Sequence, residues 1–394
     1  MGGAESVQAP SASADGRVRA RVSVTAIERN CARLRTELDD GAALCAVVKA
    51  DGYGHGAVQS ARAALGGGAS WLAVASAPEL RELRDGGIDD VRILVMGSLT
   101  IPELEETLAA DGDVVISSEP FLQAVTARGG ARVHVKLDSG MGRLGTRDPA
   151  EAMRLANAAA AAPGVELAGV MSHFATADDL QDDGYFAGQL ASFTRWARSV
   201  KERWPDVIAH TANSAALLRD RDAQFDMVRC GIAIYGMDPF GVDPAARGLE
   251  PALELDSYIA EVKPCRAGES AGYGRQFVAE RDTSIAVLPV GYGDGWRRGL
   301  SNNADVLIGG NRYPLVGTVS MDNITVDVGD HPEPARLRGE RAILIGLQGG
   351  ERITAEEVAR RLDTINYEVT CGLTSRVPRS YHRDGAPLRD RGAA

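Results

Sequence analysis

The chain is poor in the residues that build stapled domains and metal sites. Five cysteines stand in 394 residues, at Cys31, Cys45, Cys230, Cys265 and Cys371, scattered and never spaced C-x-x-C. That pattern excludes a disulfide framework and a zinc site, and it predicts reduced, inert thiols. Excess positive charge is also missing. The formal net charge of -11 argues against a broad nucleic-acid surface, though it leaves room for a local basic pocket. No apolar run is long enough to cross a bilayer. Residues 1–16 are rich in Ala, Ser and Gly and lack a basic start followed by an apolar stretch, so they predict a disordered tail and no secretory signal. A cytoplasmic protein without membrane or nucleic-acid partners is the expectation. Nor is there a G-x-x-x-x-G-K-[ST] loop, a G-x-G-x-x-G after the first strand, or a repeat of solenoid period.

What is present is an ordinary globular mixture, 44% hydrophobic and 25% charged, in a chain long enough for two domains. Across 27–252, short runs rich in Val, Ile and Leu alternate with segments of helical spacing. Candidate strands are 44–48, 71–75, 91–96, 113–117, 132–137, 166–172, 207–211 and 227–230, with helices such as 77–85, 102–110 and 149–161 between them. Near-continuous apolar strands alternating with helices imply an α/β fold with a parallel sheet. Eight such units predict a (β/α)8 TIM-like barrel, with an open doubly wound sheet as the competing topology. From 253 to 394 the texture changes to close-set strands, 257–262, 284–290, 305–308, 324–328 and 342–345, interrupted by a helix at 355–362. This predicts a mostly β C-terminal domain. The alternating segment 17–24, within 17–26, reads as a further strand of that domain.

Chemistry concentrates at strand ends. Lys49 closes the first strand and opens the Gly-rich segment KADGYGHG. Barrel active sites lie at this C-terminal mouth, where a lysine can form a Schiff base if burial or nearby cations lower its pKa. Position alone does not separate that role from a lysine snorkelling at a strand end. Polar residues also follow the fifth, sixth, seventh and eighth strands: Lys136 and Arg143, His173, Ser214, and Arg229 with Gly231-Ile232. Loops after strands seven and eight commonly bind phosphate, and Ser214 and the Gly231-Ile232 backbone could serve. His55 and His134 have no obvious partners and read as structural. The acidic group Asp178, Asp179, Asp182 and Asp183 reads as a solvated loop.

The stretches KADGYGHG, KLDSGMGRLG, SHFATAD, HTANSAA, MVRCGIAIYG, AGYGR, GYGDGWRR, SMDN and RVPR, in this order and spacing, resemble the alanine racemase family over nearly the whole chain after the tail. The resemblance implies a homodimer that binds pyridoxal 5'-phosphate and racemises a small amino acid for D-alanine supply. Lys49 would carry the cofactor and act as one base, with Tyr273 of the other subunit as the second. Tyr53, Ser214, Gly231 and Ile232 would hold the phosphate, and His173 would pack by the cofactor and contact Arg229. Arg143 would bind the substrate carboxylate beside Lys136, a position carbamylated in some members. Tyr292, Met321 and Asp322 would line the pocket from the partner subunit.

Arg229 carries an argument of its own. A guanidinium only donates hydrogen bonds, so against a pyridine nitrogen it favours the unprotonated ring and a weaker electron sink than a carboxylate would give. That suits a racemase and speaks against a fold-related decarboxylase of basic amino acids. A non-catalytic cofactor-handling barrel would have no use for Tyr273 and Met321-Asp322. One departure stands out. Ser375 occupies the place just before RVPR where family members often carry Tyr, which predicts a larger pocket and some serine activity beside alanine.

Overall fold

The computed structural model describes residues 16–388; all of the expected tail except Gly16 lies outside the described residues. The chain divides into two units, Val24–Glu250 and a second made of residues up to Ser23 and from Pro251 onward.

The first unit is a parallel barrel. Its strands are β1 (Ala43–Val47), β2 (Trp71–Val74), β3 (Arg92–Val95), β4 (Asp113–Ile116), β5 (Arg132–Lys136), β6 (Glu166–Met171), β7 (Ile208–His210) and β8 (Met227–Cys230). They pair in sequence order from β1 to β7, and β8 returns to pair with β1. Backbone bonds from Asp226 N–H to Ala209 O (3.0 Å) and from Arg229 N–H to Ala212 O (2.9 Å) link the seventh and eighth segments, so the sheet is nearly closed. The open doubly wound alternative is thereby set aside.

The helices begin where the sequence supplies a cap and a proline. Thr100 forms a capping box with Glu103 ahead of Pro102, Ser118 caps ahead of Pro120, and Asp148 caps ahead of Pro149. Their buried faces meet the outward side chains of the strands. Val114, Ile116, Val133, Val135, Val170 and Ala209 pack against Leu104, Leu122, Leu155, Phe193 and Trp196. Because strand side chains alternate, the residues between them, Asp113, His134, Lys136, Gly169 and His210, turn to the barrel interior. That interior is polar around β4 to β8, which the apolar look of the strands conceals. Room for it is made at Gly169, where a Cβ would lie 2.1 Å from His134 Nδ1. The β5–β6 register also shifts there, with Val133 opposite Leu167 but His134 opposite Gly169.

In the second unit, Val18–Ser23 pairs antiparallel with Leu253–Tyr258 and parallel with Arg379–Arg383, inside a large mixed sheet. The strand stops at Ser23. Val24, Ile27, Cys31 and Leu34 recur at helical spacing and are buried along the helix Val24–Arg35, so Val24–Ala26 are helical rather than part of the expected strand. The expected strand at 257–262 is two strands, Leu253–Tyr258 and Glu261–Cys265. Between them Ile259 donates to Glu340 O and Ala260 to Val287 O, so the chain changes sheet neighbours in mid-run. Asn311–Val316 is a strand despite Pro314, whose pairing is with Asp305 on one side only. A second helix, Asn366–Cys371, follows the expected one at Ala355–Arg361. Cys31, Cys45, Cys230 and Cys265 are buried and free, and Cys371 is exposed.

Replacing Gly169 by Ala forces the new methyl into His134. The expected result is a loss of about 1–3 kcal/mol, seen as a lower urea midpoint at unchanged slope.

Candidate active site

Lys49 follows the end of β1 after one intervening residue, Val48, and the backbone after it turns left-handed. Ala50, Asp51, Gly52 and Tyr53 have φ of 52°, 53°, 59° and 54°. Each non-glycine residue so placed costs roughly 1–2 kcal/mol, and the surroundings supply the compensation. Glu79 accepts from the N–H of Ala50 (2.7 Å) with one oxygen and from that of Ala75 (2.7 Å) with the other. Asp51 accepts from the N–H of Ala57 at 3.1 Å. Gly52 is required, since a Cβ there would stand 2.9 Å from Ser60 Oγ. The turn therefore has a single fitted form, and it holds Lys49 at the barrel mouth.

Around Lys49 the mouth is cationic. The Lys136 amine, buried at the end of β5, is pushed down to about 8, first by burial, then by the charges of Arg229, Arg143 and Lys49, with Asp138 opposing. Asp138 shapes the loop that carries Arg143 by accepting from the N–H groups of Gly140 (3.0 Å) and Gly142 (2.9 Å). Arg229 is buried and is pushed down to about 10 by that burial. Its Nη2 donates to Ser172 O (2.8 Å) and Thr211 O (3.2 Å) and lies 3.2 Å from His173 Nδ1. Its Nη1 lies 2.7 Å from His210 Nδ1. None of these partners is a carboxylate. His173 is held neutral, its pKa well below the usual histidine range because of burial and the charges of Arg229, Arg143, Lys136 and Lys49.

A cradle of small polar groups forms where the chain leaves β7 and β8. Ser214 Oγ accepts from the N–H of Gly231 (3.1 Å) and of Ala233 (3.3 Å). Asn213 caps the helix Ser214–Arg219 through Ala216 N–H at 2.9 Å. A Cβ on Gly231 would stand 2.3 Å from Tyr53 Oη, so the hydroxyl of Tyr53 reaches the Gly231-Ile232 backbone only because that residue is glycine. Hydroxyls and N–H groups converging without a carboxylate suit a phosphate, and a lysine at the same mouth suits an aldehyde. Together they fit pyridoxal phosphate.

The second unit holds the remaining residues singled out in the sequence. Tyr273 stands at the tip of the hairpin formed by Ser270–Ala271 and Phe277–Val278, and it is 73% exposed. Gly272 and Gly274 have positive φ, and Thr318 Oγ1 donates to Tyr273 O at 2.8 Å. Tyr292 N–H donates to Ser320 O (3.0 Å) and Gly293 N–H to Met321 O (2.9 Å), so Tyr292 and Met321 share one loop cluster, both exposed. Asp322 pairs with Arg376, which also reaches Asp294, and Arg17 bonds Asp294 as well. Ser375 is exposed beside this network, next to Thr374, whose hydroxyl donates to Gly293 O at 2.9 Å.

Three sequence readings change. His55 is partnered, its Nδ1 lying 3.1 Å from Gly52 O and 3.0 Å from Tyr53 O and its ring stacked on Tyr235. The acidic loop is not simply solvated. Asp182 accepts from Thr176 Oγ1 (2.8 Å), the N–H of Phe186 (2.7 Å) and Arg219 (2.9 Å), which starts the helix Tyr185–Lys201. His134 does have partners, standing between Asp113 and His210. The signal for it was the alternation in Arg-Val-His-Val-Lys, which places His134 on the same strand face as Lys136.

The nearly closed parallel barrel with a lysine at its mouth, together with the mostly β unit, defines an α/β-barrel enzyme with a second, β domain. The Alanine racemase, N-terminal domain family matches residues 22–239, and the Alanine racemase, C-terminal domain family matches 252–381. The chain is 43% identical over 368 residues to the alanine racemase of Symbiobacterium thermophilum, covering 92% of this chain and 96% of that protein. It resembles the crystal structure of alanine racemase from E. faecalis, with TM-score 0.86, 36% identity, and coverage of 93% of this chain and 98% of that one. It also resembles the Bacillus anthracis alanine racemase with bound L-Ala-P, with TM-score 0.84, 34% identity, and coverage of 95% and 97%. This chain belongs to the alanine racemase family, whose members are pyridoxal-phosphate-dependent isomerases.

The lowered pKa of Lys136 makes a stability prediction. Folding lowers it from 10.5 to about 8, so between these values the folded state holds fewer protons than the unfolded chain. The cost is fully present below about pH 8 and is relieved as pH rises toward 10.5. In cofactor-free protein, unfolding free energy measured against a Lys136→Met variant is expected to show an excess rise of roughly 3 kcal/mol over that window. Parallel pH profiles for the two proteins would refute it.

Proposed function

We propose that this chain interconverts L- and D-alanine as a homodimer, with Lys49 and the Tyr273 of a second copy as the two proton carriers. The observation that carries the reading is Arg229, a buried guanidinium whose partners include no carboxylate. Bound in this mouth, pyridoxal phosphate supplies an electron-withdrawing ring that loosens the α-hydrogen of an amino acid. Lys49 would hold the group, Tyr53, Ser214, Gly231 and Ile232 its phosphate, and Arg229 its ring nitrogen. Since Arg229 only donates, it would leave the ring nitrogen unprotonated and the ring a weaker electron sink, which would favour return of the proton to the substrate's α-carbon. His173, neutral and against Arg229, packs the same side.

Racemisation requires a proton to leave from one face of the α-carbon and arrive at the other. Lys49 Nζ serves one face. Tyr273 stands exposed in the other unit, and a second copy would bring its hydroxyl to the opposite face, along with Tyr292, Met321 and Asp322 at the entry. Arg143 would pair with the substrate carboxylate. Lys136, with a neutral fraction near pH 8, can add carbon dioxide and release a proton, giving a carbamate that would neutralise and orient Arg143.

A chiral assay of the loaded protein tests this. L-alanine is expected to converge on a near-equal L/D mixture, and Lys49→Ala is expected to abolish it. Carbon dioxide released from basic amino acids instead would favour the decarboxylase, and bound cofactor with no turnover would favour a cofactor-handling protein. Serine is expected to turn over at a measurable fraction of the alanine rate, and Ser375→Tyr to lower the serine-to-alanine ratio by about tenfold. Equal exclusion of serine by both proteins would count against the enlarged pocket.

A further inference from the structure

A line of hydrogen-bonded side chains crosses the barrel interior from its N-terminal end to Arg229. Asp113, the first residue of β4, is fully buried. Its Oδ2 lies 3.1 Å from His134 Nε2, His134 Nδ1 lies 2.8 Å from His210 Nε2, and His210 Nδ1 lies 2.7 Å from Arg229 Nη1. Both ends of this line are one-way. A guanidinium can only donate and a carboxylate can only accept. His210 Nδ1 must therefore be the bare nitrogen that receives Arg229, and a neutral His210 carries its proton on Nε2. That proton points at His134 Nδ1, so His134 carries its own on Nε2 and donates to Asp113. One arrangement satisfies every member.

The line is built rather than incidental. Arg92 and Arg132 both bond Asp113, one on each oxygen. Arg92 lies over the ring of Trp71 at 4.2 Å, and Trp71 meets His134 edge-on at 5.9 Å. Gly169 leaves the space that the His134 ring fills. Burial opposes ionisation of Asp113, but the hydrogen bonds from His134, Arg92 and Arg132 outweigh it and hold the carboxyl below its ordinary range. Burial keeps both histidines neutral: His134 is lowered despite Asp113, and His210 is lowered well below its usual range, with the charge of Arg229 adding to the effect.

We propose that Asp113 is a positioning residue for Arg229: by fixing the Nε2–H form of His134, and through it that of His210, it keeps at His210 Nδ1 the acceptor that orients the guanidinium. The consequence for turnover rests on the racemase reading above, whereas the fixed tautomers do not. Truncating Asp113 leaves the His134 proton unclaimed in a dry interior, frees both rings to invert, and lets an N–H of His210 face an N–H of Arg229.

The first test is 15N NMR of histidine-labelled wild-type protein without cofactor or substrate. Both His134 and His210 are expected as neutral Nε2–H imidazoles at neutral pH. An Nδ1–H or doubly protonated ring at either position near neutral pH overturns the proposal, whatever the variants do. The second compares Asp113→Ala with Asp113→Asn, whose amide oxygen can still accept. The alanine variant is expected to mix the His210 tautomers and lower kcat by on the order of tenfold with KM little changed, and the asparagine variant to recover most of both. An alanine variant that folds with an unaltered His210 spectrum and unaltered kcat overturns the proposal. If wild type fails to racemise alanine, the function proposed above falls, and the role of Asp113 is then decided by the tautomers alone.

Discussion

A permanently charged guanidinium buried in a protein barrel must be surrounded by acceptors, and much of the site follows from that demand on Arg229. An ion moved out of water loses several kcal/mol of solvation even after the protein relaxes. Here the loss is met by backbone carbonyls of Ser172 and Thr211 and by two histidine nitrogens. Those acceptors sit at the ends of adjacent strands, which is possible only because β6, β7 and β8 are neighbours around a nearly closed sheet. The same cation acts outward on the mouth, where its field and the exclusion of water lower Lys136 and keep His173 neutral.

Rigid strands alone would leave Lys49 loosely placed. The left-handed turn after it stores conformational cost at the point where the chain leaves β1, and Glu79, Asp51 and the space under Gly52 hold it in that form. Strain sustained by surrounding contacts is a feature of sites that need a group held in one place. The cradle of Tyr53, Ser214 and Gly231 draws on the same economy, because a single missing Cβ lets a hydroxyl from one end of the barrel sequence meet a backbone from the other.

The barrel was readable residue by residue because its two periodicities are clean. Val133 and Val135 alternate with His134 and Lys136, and Pro78, Pro102, Pro120 and Pro149 announce helix starts. The β unit was less readable. Where the chain changes sheet neighbours at Ile259–Ala260, the local pattern stays strand-like on both sides, so two strands looked like one. Strands interrupted by Pro264 and Pro314 carried the wrong local signal, since proline is tolerated only where one side of the strand makes no ladder bond, and the sequence does not display its own neighbours.

By itself the sequence determined which segments are strands and helices in the barrel, which side chains can reach the mouth, and which family pattern they follow, because local periodicity, caps and motif spacing are written along the chain. Only the tertiary structure decided what those side chains face. Asp113, His134, His210 and Arg229 are far apart in the chain, and the alternation that puts His134 on the strand face of Lys136 does not say which groups that face meets. Their proton positions follow from contact between an obligate donor and an obligate acceptor on different strands, and such contacts exist only once the sheet has closed.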